Sequence, residues 1–287
     1  MDIGRKKILT GTNTRPGIPP KNKNTPSSPE LLQQETEEDI VLNLSLRPKD
    51  LSEFVGQVET VDSLKIAISA AKERKEPLEH VFLSGPPGLG KTALSHIIAH
   101  QMNSKITATS GPAIERAGDL IGILTNLEEG DVLFIDEIHR MSKVVEEFLY
   151  PAMENSQIDF IIDKGPYART IKFNLKRFTL IGATTRSGLL SSALRSRFGM
   201  FYHFDFYAPQ ELARIIKRSA SLLGVGLEDD AAIEIADLSR GTPRIANRLL
   251  RRVRDYAQVK EKSKTITKDI ADKALSALRI DKSGLDD

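Results

Sequence analysis

Cysteine is absent from the 287 residues, so the chain forms no disulfide and offers no thiolate to a metal. That fits a reducing compartment. Long apolar runs are missing too: none approaches the ~20 residues that span a bilayer. After Arg5-Lys6-Lys7 the apolar pair Ile8-Leu9 is too short for the core of a secretory leader. A cytoplasmic protein is the expectation. Nor is there an excess of one charge. The 41 basic and 39 acidic residues leave a net charge of +2, without the concentrated surplus of a strong nucleic-acid binder. What is present is a globular balance, 40% hydrophobic and 28% charged, over a length that holds one large domain, a smaller one and a substantial core.

Periodicity is absent from residues 1–44, which are rich in Pro, Asn, Thr and Ser from Thr14 to Ser28 and acidic from Gln33 to Asp39. Such a segment buries too little apolar surface to offset its ordering entropy, and it reads as a disordered tail. From Leu46 the chain turns regular. A helix is expected over Val58–Lys75, with Val61, Leu64, Ile68 and Ala71 on one face. Short apolar runs then alternate with helical patterns: His80–Ser84, Leu94–Met102, Val132–Ile135, Val144–Met153 and Thr179–Ala183. β-rich runs between helices indicate an α/β domain with a mainly parallel sheet, here residues 45–206. After Pro209 the strand signals stop. Four amphipathic segments, Glu211–Leu222, Asp230–Leu238, Pro243–Val259 and Thr267–Leu278, make residues 207–287 a smaller all-helical domain.

The run Gly85-Pro86-Pro87-Gly88-Leu89-Gly90-Lys91-Thr92 matches the P-loop pattern in full, between a strand and a helix. Its glycines let backbone N–H groups close around phosphate oxygens, and the positive end of the following helix favours the anion. Lys91 is expected on the β- and γ-phosphates of ATP, and the Thr92 hydroxyl on Mg²⁺. A second strand, Val132-Leu133-Phe134-Ile135, ends in Asp136-Glu137. Asp136 fits a Mg²⁺-organising carboxylate and Glu137 the group that orients or deprotonates the attacking water. A third strand ends in Thr184-Thr185-Arg186, whose hydroxyls fit sensors of the γ-phosphate. Arg195 and Arg197 follow with no obvious local acid, and arginine's planar fork suits phosphate. Thr242 and Pro243 read as N-cap and first position of a helix. Arg244 then sits in the first turn, where the dipole disfavours a cation unless it faces an anion.

Near residues 158–175 two runs flank the turn signal Lys164-Gly165-Pro166 and read as a hairpin. Ile158, Phe160 and Ile162 share one face, which leaves Ile161 among Asp159 and Asp163 on the polar face, as a partner surface would.

Together these elements resemble the RuvB family, ring-forming AAA+ motors of Holliday junction branch migration. The resemblance runs from about Leu46 to Asp286 and rests on long stretches: Gly85 to Thr92, Thr109 to Arg116, Asp131 to Arg140, Leu149 to Glu154, Gly182 to Arg186 and Arg240 to Tyr256. It implies a P-loop AAA+ domain followed by a lid, and a homohexamer that pulls duplex DNA at four-way junctions in recombination and repair. It also implies that Leu46 and Arg47 border the adenine pocket and that Glu154, Asn155, Ser156 and Tyr207 lie near nucleotide. Arg197 would be the arginine finger reaching a neighbouring subunit, Arg244 the lid sensor, and the hairpin around Ile161 the dock for RuvA. Ala93 stands where a second hydroxyl is common after the P-loop threonine, and Ala193 and Ser196 where Pro and Asp are usual around the finger. The family normally continues into a winged-helix DNA-binding domain, and this sequence ends at Asp287 without one.

Competing readings meet absences again. A clamp-loader subunit usually carries a Ser-Arg-Cys finger, and there is no cysteine. A threading unfoldase typically has an aromatic pore loop, and Gly111 to Leu120 contains no aromatic residue. A nucleotide-gated scaffold without turnover is opposed by Glu137 and Arg197, and phosphate release decides it.

Overall fold

The computed structural model describes residues 45–162 and 169–278, with the side chains of 160–171 outside that description. The expected tail of residues 1–44 and the hairpin turn at Lys164-Gly165-Pro166 therefore lie outside the described residues.

Strands β1 (Val81–Ser84), β3 (Val132–Asp136) and β6 (Thr179–Thr184) are almost wholly buried and form the centre of a five-stranded parallel sheet, with β2 (Ile106–Ser110) and β7 (Met200–His203) at its edges in the order β2-β3-β6-β1-β7. A strand covered on both faces needs apolar side chains at every position, not at alternate ones, and alternate residues feed separate cores. Val81, Leu83, Val132, Phe134, Ile181 and Ala183 join one core with α1 (Val58–Arg74) and α2 (Lys91–Gln101). Phe82, Leu133, Ile135 and Leu180 join the other with α3 (Ala117–Thr125) and α4 (Lys143–Asn155). Phe134 is 2% exposed at the centre of the first core. Phe134→Ala is therefore expected to cost about 3–5 kcal/mol, or roughly 10 °C in Tm for a chain of this size, checked by thermal unfolding.

A short helix, α5 (Ser192–Arg195), joins β6 to β7. The lid consists of α6 (Pro209–Leu222), α7 (Asp229–Asp237), α8 (Pro243–Val259) and α9 (Lys268–Ala277), within two residues of the expected segments. Leu212, Ile216, Ile235, Leu250 and Val253 of these helices belong to the same core as α1 and α2. One expectation is corrected: strand pairing does not stop at Pro209. Gly226–Leu227 (β8) and Thr265–Ile266 (β9) pair in parallel, anchored by the fully buried Ile266.

The hairpin consists of β4 (Gln157–Ile162) and β5 (Arg169–Asn174), antiparallel, with Ile158 opposite Phe173, Asp159 opposite Lys172 and Ile161 opposite Thr170. Cross-strand partners share a face, so the register puts Ile161 on the face of Asp159 and Lys172. Ile158 is fully buried, while Phe173, its partner, is exposed.

Candidate nucleotide site

The phosphate loop joins β1 to α2, with Gly90 as the residue before the helix. Two glycines are needed for contact as well as for conformation. A Cβ on Gly85, at φ 137°, would lie 2.5 Å from the Phe204 carbonyl oxygen; one on Gly88, at φ 80°, would lie 2.8 Å from Thr242 Cγ2 and 3.1 Å from Arg244 Cβ. The lid thus rests directly on the loop, and the Arg244 N–H donates to the Gly88 carbonyl at 3.3 Å. Thr242 precedes α8 as expected, but its hydroxyl donates to Arg240 O and does not cap the helix. Position and capping chemistry separate here because the lid-to-loop contact, not the cap, fixes this turn.

Lys91 is buried and its Nζ donates to the carbonyls of Gly85 and Pro86, both at 2.8 Å. Burial pushes its pKa down, opposed by the carboxylates of Asp136 and Glu137, while Arg244 pushes it further down. Three of the residues picked from sequence, Asp136, Glu137 and Arg244, are therefore close enough to act on the charge of a fourth, Lys91. Thr92 and Ala93 begin α2 and are half-buried.

Asp136 ends β3, and its Oδ1 accepts the Glu137 N–H at 2.9 Å. Glu137 sits at φ 46°, a left-handed conformation that costs a non-glycine residue energy and concentrates at functional sites. Its carboxylate is gripped from just past the end of β6. The Thr185 hydroxyl donates at 3.1 Å to both oxygens, and the Thr185 N–H reaches Oε2 at 3.3 Å. Thr184 plays a different part: it is fully buried, bonded at 2.8 Å to His139 Nδ1, which also lies 3.2 Å from Glu137 Oε2. His139 was missed from sequence, although it stands two residues after Glu137 in a short 3-10 turn.

Tyr207 packs against the phosphate loop. Its hydroxyl donates to Leu89 O at 3.1 Å, its ring meets Gly56, and burial raises its pKa. Leu46 is buried, with its carbonyl accepting from Arg218 at 2.9 Å. Arg47 lies near His96 and helps lower that imidazole's pKa, after burial, the larger cause. Phe54, not singled out from sequence, also packs against the loop: a Cβ on Gly90 would lie 3.3 Å from its ring. Gln57 clamps the approach to Tyr207 by donating to Asp205 O at 2.7 Å and accepting from Asp205 N at 3.3 Å.

The structure does not bring the remaining predicted residues to this place. Arg197 and Glu154 pair at 2.9 Å, next to Asn155 and Ser156 at the end of α4. They sit at the other edge of the sheet. Met200 is level with Val81 at the start of β1, and the Gly199 N–H donates to His80 O at 3.1 Å, whereas the phosphate loop follows Ser84 at the strand's far end. Four strand residues separate those edges, about 13 Å. Half-buried His80 fixes the same end of α4. Burial lowers its pKa, its Nδ1 accepts the Leu180 N–H at 2.9 Å, and its Nε2 therefore donates to Met153 O at 3.2 Å.

With this arrangement established, two family profiles cover nearly all of the described residues: one described as the Holliday junction DNA helicase RuvB P-loop domain over 46–204, and one as the RuvB AAA lid domain over 207–281. The chain belongs to the RuvB family. It is a P-loop ATPase of the AAA+ class with an α/β nucleotide domain and a helical lid. Relatives named Holliday junction branch migration complex subunit RuvB are 57% identical in Desulfosudis oleivorans, over 91% of this chain and 76% of that one. The corresponding figures for Chlorobium chlorochromatii are 59%, 84% and 68%. A solved structure of Thermotoga maritima RuvB, described as a Holliday junction branch migration motor, matches with a TM-score of 0.77 at 53% identity. That match covers 85% of this chain and 76% of that one.

Proposed function

We propose that this chain is the motor subunit of a branch-migration complex, hydrolysing ATP within a homohexameric ring to pull duplex DNA through a four-way junction. The observation that carries the ring is the separation of Arg197 from its own phosphate loop by the depth of the sheet. An arginine so placed serves a nucleotide on a neighbouring copy, not its own. No helix among the described residues is long and apolar enough to cross a membrane, and the working compartment is the cytoplasm.

In this reading Lys91 binds the β- and γ-phosphates and Arg244 follows the nucleotide from the lid. Thr92 and Asp136 hold Mg²⁺. Hydroxyl and carboxylate are the hard oxygen donors Mg²⁺ takes, and it is usually bound by one or two carboxylates plus substrate phosphates. When bound, the ion neutralises charge on the phosphates. Glu137 orients the attacking water, with Thr185 setting the direction of its carboxylate. Leu46, Arg47, Phe54 and Tyr207 surround the base. Glu154, Asn155 and Ser156 accompany Arg197 to the neighbouring site.

The test is phosphate release with and without a four-way junction and RuvA. Stimulation is expected, and an unchanged rate would defeat the motor assignment. Ile161 supplies the partner contact. Ile161→Asp is expected to weaken RuvA binding at least ten-fold while basal phosphate release stays within two-fold, about the loss of one apolar contact replaced by a desolvated charge. Unaltered RuvA affinity would move the dock elsewhere.

A further inference from the structure

Three residues of α4, Glu146, Tyr150 and Glu154, recur every four positions and so form one stripe along the helix. Only Glu154 was expected to matter. Glu146 is buried, and it accepts hydrogen bonds from the hydroxyls of Tyr150, at 2.7 Å, and Ser191. Ser191 is also the N-cap of α5, accepting the Leu194 N–H at 3.1 Å, and α5 leads directly to Arg197. The Tyr150 ring lies under the Arg197 guanidinium, 4.2 Å from its centroid, and Glu154 pairs with the outer edge at 2.9 Å. Burial raises the pKa of the Tyr150 phenol, keeping it a donor to Glu146.

We propose that Tyr150 is a positioning residue for the Arg197 finger, its ring fixing the plane of the guanidinium and its hydroxyl tying that ring to the buried Glu146–Ser191 pair. The inference rests on the assignment of Arg197 as the arginine that acts on a neighbouring copy. Its logic is one of donors. A carboxylate holds a guanidinium by occupying its N–H groups, which phosphate also needs, whereas an aromatic face holds the plane and leaves the edge available. Here Nη1 donates to Ala193 O and Nη2 to the half-exposed Glu154, so a phosphate takes the outer edge by displacing Glu154 while the Tyr150 face keeps the plane; the buried Nε meets no acceptor among the described residues. Arginine has many rotamers, and a fork that must meet a phosphate on another chain gains from being aimed before it arrives. A seat on α4 does this, and α4 follows the Glu137 turn in the chain.

Tyr150→Leu removes the π-face and keeps an apolar residue. It is expected to lower kcat for ATP about a hundred-fold, the effect of misplacing a catalytic group by about 1 Å, with KM within three-fold. Tyr150→Phe retains the ring and should stay within several-fold of the parent. Three results are required together. Phe must restore what Leu loses. Mixing Tyr150→Leu with Glu137→Gln must recover turnover, since the second chain brings an intact finger. The Tyr150→Leu/Arg197→Ala double variant must fall no further than Arg197→Ala alone. If Tyr150→Leu fails to fold, Tyr150→Met carries the same comparison with an unbranched side chain. Full turnover in the ring-free variant, failure of Phe to rescue, or an additive loss in the double variant would overturn the proposal while leaving the finger itself intact. Full turnover in Arg197→Ala would instead remove the finger assignment on which it stands.

Discussion

Mixed rings of Arg197→Ala and Glu137→Gln chains should release phosphate well above either variant alone. Each variant loses a different half of the site. The first keeps the Glu137 carboxylate, proposed to orient water and held by Thr185 and His139, and lacks the arginine. The second keeps the arginine on its Tyr150 seat and lacks the carboxylate. Arg197 lies at the end of the sheet away from its own phosphate loop, and on the proposed assignment a complete site takes the loop of one copy and the arginine of the next. Mixing creates such sites wherever an Arg197→Ala loop faces a Glu137→Gln finger. An arginine supplied across subunits raises the rate by about 10³–10⁵, so even a minority of repaired sites dominates the signal. The measurement is steady-state release from each parent and from pre-mixed, re-equilibrated pairs, with mixed assembly verified by differently tagged chains. Rates that stay at the parental level in verified mixtures would return Arg197 to a role within its own chain.

Lys91→Ala should lose nucleotide binding altogether on the scale of ordinary assays. The ammonium is buried, and it stands among Asp136, Glu137 and Arg244. Its removal leaves two carboxylates facing the incoming phosphates with the central cation gone. Removing the cation that would meet the phosphates costs about 2–5 kcal/mol, and about 3 kcal/mol is already roughly a hundred-fold in Kd. The fold should persist, because Lys91 bonds only to carbonyls of its own loop and the core beneath is built from Leu94, Ile97 and Ile98. Calorimetric titration of ATP into the variant and a parallel melting curve separate the two effects. Parental affinity would take Lys91 out of phosphate binding, and a collapsed melt would show that the loop is structural.

The sequence alone determined the elements whose chemistry is contiguous. The phosphate loop, the Asp136-Glu137 strand end and the Thr184-Thr185 strand end are each spelled out within a few residues, and the buried strands carrying them are continuously apolar because both faces are covered. The strands that escaped notice, β2 and β7, are the two edges of the sheet. There burial is partial, so Ile106–Ser110 and Met200–His203 carry no unbroken apolar run to reveal them. Only the tertiary structure decided what depends on residues distant in the chain. It divided the predicted site into two groups at opposite edges of one sheet, and it set Tyr150 beneath Arg197 with Glu146 and Ser191 behind. It also brought Phe54 and Tyr207 against Gly90 and Gly56, and the lid against Gly88. None of these pairings leaves a local trace, because each side chain alone is an ordinary aromatic, acid or hydroxyl. The order in which parallel strands pack determines which of them meet.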